Sequence, residues 1–165
     1  MIISIASDHA GFDVKTDICS WLGHTTDLKI PVNQKLDKTS FQTVDQKFTD
    51  FIVNDLGCKD YNRADYPDYA VKVCVDILLN KANFGILICG TGIGMCMAAN
   101  RFSNIRAALC KDVYTACMAR EHNNANVLCI GARNTEDVIP IVKTFLETKF
   151  EEEGRHRARI DKFST

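Results

Sequence analysis

The chain has 165 residues, 46% of them apolar and 25% charged, with a formal net charge of −1. That length suits one compact domain, and the near-zero charge gives no bulk attraction to nucleic acid or to an anionic membrane. No apolar run reaches the roughly 20 residues that span a bilayer, and the opening "MIISIASDHAG" has no basic segment followed by a cleavage site, so a cytoplasmic protein is expected.

Ile2–Ala6 reads as a strand, and Val14, Ile18, Trp21 and Leu22 recur at helical spacing, with Gly23 expected to end that helix. The stretch at about 25–50 is polar, contains Pro31 and has little periodicity; it is expected to be an inserted surface loop without a catalytic part. Phe51–Val53 is a weaker strand, followed by a helical stripe of Ala70, Val73, Cys74, Ile77 and Leu78. Phe84–Cys89 is a buried strand, Gly94–Arg101 a helix, Arg106–Cys110 a strand, and Val113 to about Glu121 a helix. Val127–Ala132 is the fifth strand, and Val138, Ile141, Val142, Phe145 and Leu146 mark a last long helix with Thr135 as its expected N-cap. A basic tail at about 154–165 is expected to form a further helix.

Strands and helices therefore alternate, and the strands are continuous apolar runs, as when helices cover both faces of a sheet. The pattern predicts an α/β fold, a Rossmann-like doubly wound parallel sheet of five strands within one domain over residues 1–165. Ligands sit at the carboxyl ends of such strands, which directs attention to Ser7–Gly11, Cys89–Gly94, Lys111–Asp112 and Ala132–Asn134.

None of the 8 cysteines forms a C-x-x-C pair and most lie in apolar runs, so neither a zinc site nor a disulfide framework is expected, but reduced, buried thiols. Cys89 stands apart. It closes a strand just before the glycines of "GTGIG", Gly90, Gly92 and Gly94, where a helix N-terminus favours a thiolate able to act as base or nucleophile; the alternative is a small core residue. The glycines let several amide N–H groups converge on an anion or simply make a tight turn, and Thr91 either orients a hydroxyl or caps the helix. Asp8 and His9 end the first strand, with helix capping the competing role for Asp8. His122 and Asn123 lie at the end of the fourth helix, where a histidine is an acid/base or a structural cap. Arg133 and the tail residues Arg155, His156, Arg157 and Arg159 are candidates for phosphate, or a solvated charged face.

In concert, "SDHAG", "ADYPDYA", "ILICGTGIGMCMAANRF", "IRAALC", "REHNNANVLCIGAR" and "GRHRARID" resemble the type B ribose-5-phosphate isomerases, a family that includes galactose-6-phosphate isomerase subunits. The likeness runs in order along nearly the whole chain apart from residues 25–50. It implies interconversion of ribose 5-phosphate and ribulose 5-phosphate through an enediolate, without cofactor or metal. It places the proton-abstracting base on Cys89, its support on Thr91, the anion hole on the Gly90–Gly94 amides, and ring opening on His122 beside Asn123. Substrate contacts fall on Asp8 and Tyr66, and phosphate contacts on His9, Arg133, Arg155 and Arg159, some reaching a neighbouring subunit. A second branch of the family uses a glutamate just after the glycine loop; Met95 stands there, so the likeness is to the cysteine branch. A homodimer or tetramer with shared active sites is implied as well.

Other readings stay open at this point. A six-carbon sugar phosphate is the alternative substrate. A nucleotide-binding module would use the glycine loop, although Asp55 comes late for a ribose-binding acid at the end of the second strand. A catalytically dead subunit is disfavoured by the presence of Cys89, Thr91 and His122.

Overall fold

The computed structural model describes residues 1–24, 51–152 and 154–163; the expected inserted loop lies outside them, as do residues 164–165. The elements are β1 (Ile2–Ser7), a 3-10 turn (His9–Gly11), α1 (Phe12–His24), β2 (Ile52–Asp55), α2 (Tyr66–Leu78), β3 (Phe84–Cys89), α3 (Ile93–Ala99), β4 (Ala107–Leu109), α4 (Val113–Asn123), β5 (Val127–Gly131), α5 (Val138–Glu147) and α6 (Arg155–Ile160).

The five strands form one sheet in the order β2-β1-β3-β5-β4, with every pairing parallel. This is the expected doubly wound α/β architecture. Successive strand residues feed opposite cores, as the period of two dictates. Ile3, Ile5, Ile86, Ile88, Leu128 and Ile130 pack with α1, α4 and α5 through Ile18, Leu22, Ala116, Ile141, Val142 and Phe145. Ala6, Leu87, Cys89, Val127 and Cys129 face the other way, onto Ala70, Val73 and Cys74 of α2 and Met95 and Ala99 of α3. Both faces are thus buried, which is why the strands read as unbroken apolar runs.

After β1 the chain winds outward to β2, then crosses back past β1 to lay β3 on its other side. The loops leaving β1 and β3 therefore part company, and the crevice between them is the natural ligand position of such a sheet.

Local expectations shift in three places. Helix α1 runs through Gly23 to His24. Strand β2 is displaced to end at Asp55. The N-cap of α5 is Asp137, not Thr135, whose buried Oγ1 has no hydrogen-bond partner among the described residues. Helix α4 starts with a capping box: Thr115 N–H donates to Asp112 Oδ1 at 2.7 Å and holds that carboxyl below its usual range. No helix among the described residues is long and apolar enough to cross a membrane.

All eight cysteines are free. Burial raises the thiols of Cys74 and Cys117 to about 11 and of Cys110 to about 12, which keeps them protonated and inert.

Candidate active site

Three strand ends meet around Cys89. Asp8 N–H donates to the Ile88 carbonyl at 3.1 Å, Ala132 N–H to the Cys89 carbonyl at 2.9 Å, and Arg133 N–H to the Gly90 carbonyl at 3.0 Å. The β1 turn approaches so closely because Gly11 lies on β3: a Cβ there would stand 2.6 Å from Ile88 Cγ2 and 2.9 Å from its carbonyl oxygen.

Cys89 is 4% exposed, and Gly92 N–H donates to its Sγ at 3.2 Å. The glycine loop thus hands one amide proton directly to the sulfur. This refines the expectation for the loop. The Gly92 amide holds the sulfur, and the Ile93 amide donates to Thr91 Oγ1 at 3.4 Å. Thr91 Oγ1 therefore serves as an acceptor at the start of α3, whose N-cap is Gly92.

The glycines are required by different neighbours. Gly92 has φ 74°, and a Cβ there would lie 2.5 Å from Leu109 Cδ1 and 2.9 Å from the Ile130 carbonyl carbon. Gly94 lies under the Tyr66 ring, 2.6 Å from Cζ to an added Cβ, and Gly90 lies under the Arg133 guanidinium, 3.2 Å from Nη1. Tyr66, at the start of α2, and Arg133, after β5, are thereby laid on the two ends of the loop. Gly92→Ala, with both strain and backbone overlap, is expected to cost about 2 kcal/mol or more and lower Tm by roughly 4–8 °C in a thermal melt. Gly23→Ala, where an added Cβ meets nothing within 4 Å, is expected to leave Tm unchanged or slightly raised.

Asp8 is 7% exposed, and its Oδ1 accepts from Ala10 N–H at 2.9 Å and Gly11 N–H at 3.1 Å, so capping is a real part of its work. His9 is clamped by the chain entering α2. Neutral, its Nδ1 accepts from Ala64 N–H at 3.2 Å; protonated, it donates to the Ala64 carbonyl at 3.3 Å. With Nδ1 accepting from Ala64 N–H, or with the ring protonated, Nε2 carries a proton for an incoming acceptor. Asp8, His9, Tyr66, Cys89, Gly90, Thr91, Gly92, Gly94 and Arg133 are thus one cluster at the carboxyl edge of the sheet.

The remaining candidates are elsewhere in this chain. Val127, the first residue of β5, pairs with Gly85 near the start of β3, whereas Gly131 pairs with Cys89. His122 and Asn123 close α4 just before β5, so they lie at the amino edge of the sheet, roughly 15 Å of strand away from Cys89. The tail joins them there. Glu151 N–H donates to the Glu121 carbonyl at 3.0 Å, and the His122 and His156 rings stack with centroids 4.1 Å apart and planes 8° from parallel. Arg155 and Arg159 are exposed on α6 beside that stack.

Two features escaped the sequence reading. Cys96 was grouped with the inert thiols, yet its pKa falls to about 7, chiefly because Cys129 hydrogen-bonds to its sulfur. Asp55 does end β2, but Lys15 pairs with its carboxylate and Gly57 N–H donates to it at 3.0 Å. A nucleotide ribose would have to displace both, and the glycine loop follows β3 rather than β1, so the nucleotide-binding reading loses its footing.

A model of the family described as Ribose/Galactose Isomerase matches residues 3–163. The chain is 34% identical to ribose-5-phosphate isomerase B of Escherichia coli over 161 residues, covering 96% of this chain and 91% of that one. Among solved structures, the ribose 5-phosphate isomerase of Thermotoga maritima is 41% identical with a TM-score of 0.82, covering 99% of this chain and 97% of that one. Ribose-5-phosphate isomerase B of Mycoplasma genitalium, solved with bound ribulose-5-phosphate, is 40% identical with a TM-score of 0.78, covering 98% and 92%. With a match that runs from β1 to the end of the tail, and the same sheet beneath it, this chain belongs to the Ribose/Galactose Isomerase family.

Proposed function

We propose that this protein interconverts ribose 5-phosphate and ribulose 5-phosphate, with the Cys89 thiolate as the base that moves the proton between C2 and C1. The observation that carries this reading is the Gly92 N–H on Cys89 Sγ at 3.2 Å, set between Asp8 and Arg133 at adjoining strand ends. The relatives named for this reaction, one of them holding ribulose-5-phosphate, supply the substrate class.

The reaction needs three things of the protein. The closed furanose must open, which calls for a proton shuttle between ring oxygen and O1, the role of His122. Cys89 then takes the C2 proton, and the negative charge left on the enediolate oxygens is met by the amides of Gly90, Thr91 and Gly94. One such preorganised donor is worth roughly 3 kcal/mol of barrier. A proton passes from O2 to O1, and reprotonation at C1 by Cys89 completes the ketose. His9 through Nε2 and Arg133 through its guanidinium hold the phosphate, and that remote binding energy fixes C2 against the sulfur.

His122 serves Cys89 only if it comes from a second copy. The site is therefore shared in a homodimer: Cys89, Thr91, Asp8, His9, Tyr66 and Arg133 from one subunit, with His122, Asn123, Arg155 and Arg159 of the partner subunit. An apolar face supports this arrangement. Ile93 and Met97 on α3, Leu109 on β4, Tyr114 on α4 and Phe163 after α6 are all exposed, 40–68% of each being open to water. Leu109 and Phe163 also line a groove of about 1230 Å³ that includes Thr115 and Asn123. So many large apolar side chains at one edge of a sheet mark a protein interface.

Purified protein is expected to isomerise ribose 5-phosphate faster than any six-carbon aldose phosphate; a clear preference for the longer sugars would reassign the substrate. Arg133→Ala is expected to raise KM for ribose 5-phosphate by roughly 10–100-fold with a smaller change in kcat, as loss of a charge-assisted phosphate contact demands. An unchanged KM would remove Arg133 from the phosphate site.

A further inference from the structure

We propose that His122, Glu151 and His156 form a binding site for Zn²⁺, distinct from the chemistry of the isomerase reaction itself. One ligand atom from each residue lies within 4.8 Å of the other two. His156 Nε2 is 3.5 Å from Glu151 Oε2, and the two imidazoles are stacked with centroids 4.1 Å apart. Two imidazoles and a carboxylate are the donor set of many three-ligand zinc sites, with a fourth position left for water.

The surroundings suit an ion bound by covalent character rather than by charge alone. His156 is 7% exposed, so its Nε2 is held in a fixed place facing Glu151 Oε2 rather than free to wander in solvent. Glu151 lies against the His156 ring, and Arg155 and Arg159 stand on the same short helix as that histidine. Those two cations repel any incoming cation. Imidazole binds Mg²⁺ and Ca²⁺ poorly, so the donor set itself favours ions for which imidazole is a strong ligand. The negative end of α4 lies at His122 and offsets part of the repulsion.

Geometry sets the adjustment required. Stacked rings only 8° from parallel cannot both hold one ion in their planes, so a shared ion requires one ring to turn. A tilt of the half-buried His122 ring and a swing of Glu151, whose side chain is 55% exposed, draw the donors in to about 3.4 Å, the spacing that bonds of about 2.1 Å give around a tetrahedral centre. The backbone of Glu151 is already fixed to α4 by its bond to Glu121.

Binding would occupy the nitrogen of His122 that the isomerisation uses, so zinc is expected to inhibit; that consequence rests on the isomerase reading, whereas the site does not. The test is titration of the intact protein, without sugar, with Zn²⁺ by calorimetry and with Co²⁺ by absorption. One ion per subunit is expected, with no binding of Mg²⁺ and no strong near-ultraviolet thiolate band in the Co²⁺ spectrum. His156→Phe, which keeps the stack and removes its nitrogens, and Glu151→Ala, at an exposed position that leaves folding intact, are each expected to weaken binding at least tenfold. Absence of saturable binding, affinity unchanged in Glu151→Ala, or a thiolate band showing that cysteines hold the ion would overturn the site. Binding with undiminished turnover of ribose 5-phosphate would uphold the site and remove His122 from the reaction.

Discussion

Cys89→Ala is expected to lower kcat for ribose 5-phosphate by at least about 1000-fold while changing substrate affinity by no more than a few fold. A positioned base contributes about 100- to 10,000-fold to a proton transfer, and no second acceptor stands at this place in the chain, where Met95 follows the glycine loop. The other groups of the cluster bind rather than abstract. Asp8 Oδ1 is taken by two amides, Thr91 accepts from Ile93 N–H, and Arg133 lies on Gly90. Removing the sulfur therefore empties the base position and leaves the phosphate contacts standing, so the loss appears in kcat and not in binding. Cys89→Ser is expected to be nearly as inactive, because an aliphatic hydroxyl is far too weak an acid to serve as an anionic base. Two measurements check this: calorimetric binding of ribose 5-phosphate to the variant, and exchange of the C2 proton with deuterated water. Exchange at the normal rate in Cys89→Ala would assign the base elsewhere.

How much of this could be read from the amino acids depends on the range of the interaction involved. The strands were legible because both sheet faces are apolar, so Phe84–Cys89 and Val127–Gly131 appear as unbroken runs whichever neighbours they acquire. Cys89 was legible for a local reason too: a strand, a glycine turn and a helix follow one another, and that succession alone puts an amide at the sulfur. The end of β2 was hidden by the long segment before it, so Asp55 looked misplaced although it occupies the strand terminus. What the linear order concealed was polarity. A helix linking two parallel strands runs against them, so the last turn of α4 falls at the sheet edge opposite Cys89. The same limit applies to His156, which meets His122 only because the tail folds back on α4, and to Cys96, whose shift comes from Cys129 on another element.

That polarity leads to the other large effect. His122→Asn is expected to lose most activity on ribose 5-phosphate, which cyclises, and far less on an aldose phosphate that cannot close a ring. Cys89→Ala and His122→Asn should each be inactive as pure proteins. Mixed, unfolded and refolded together in equal amounts, they should recover about a quarter of the wild-type rate. The arithmetic follows from two-fold symmetry: half the dimers are mixed, and each mixed dimer has one site with an intact Cys89 facing an intact His122 of the partner subunit. In a site confined to one chain, every subunit would carry one lesion and mixing would restore nothing. The apolar face at Ile93, Met97 and Leu109 supplies a separate handle, since Met97→Glu, placed at a residue 68% exposed in the single chain, buries a charge only when two copies meet. Its expected result is a monomer in sedimentation whose sheet persists by circular dichroism and whose turnover is gone, because Cys89 is still in place and His122 no longer reaches it.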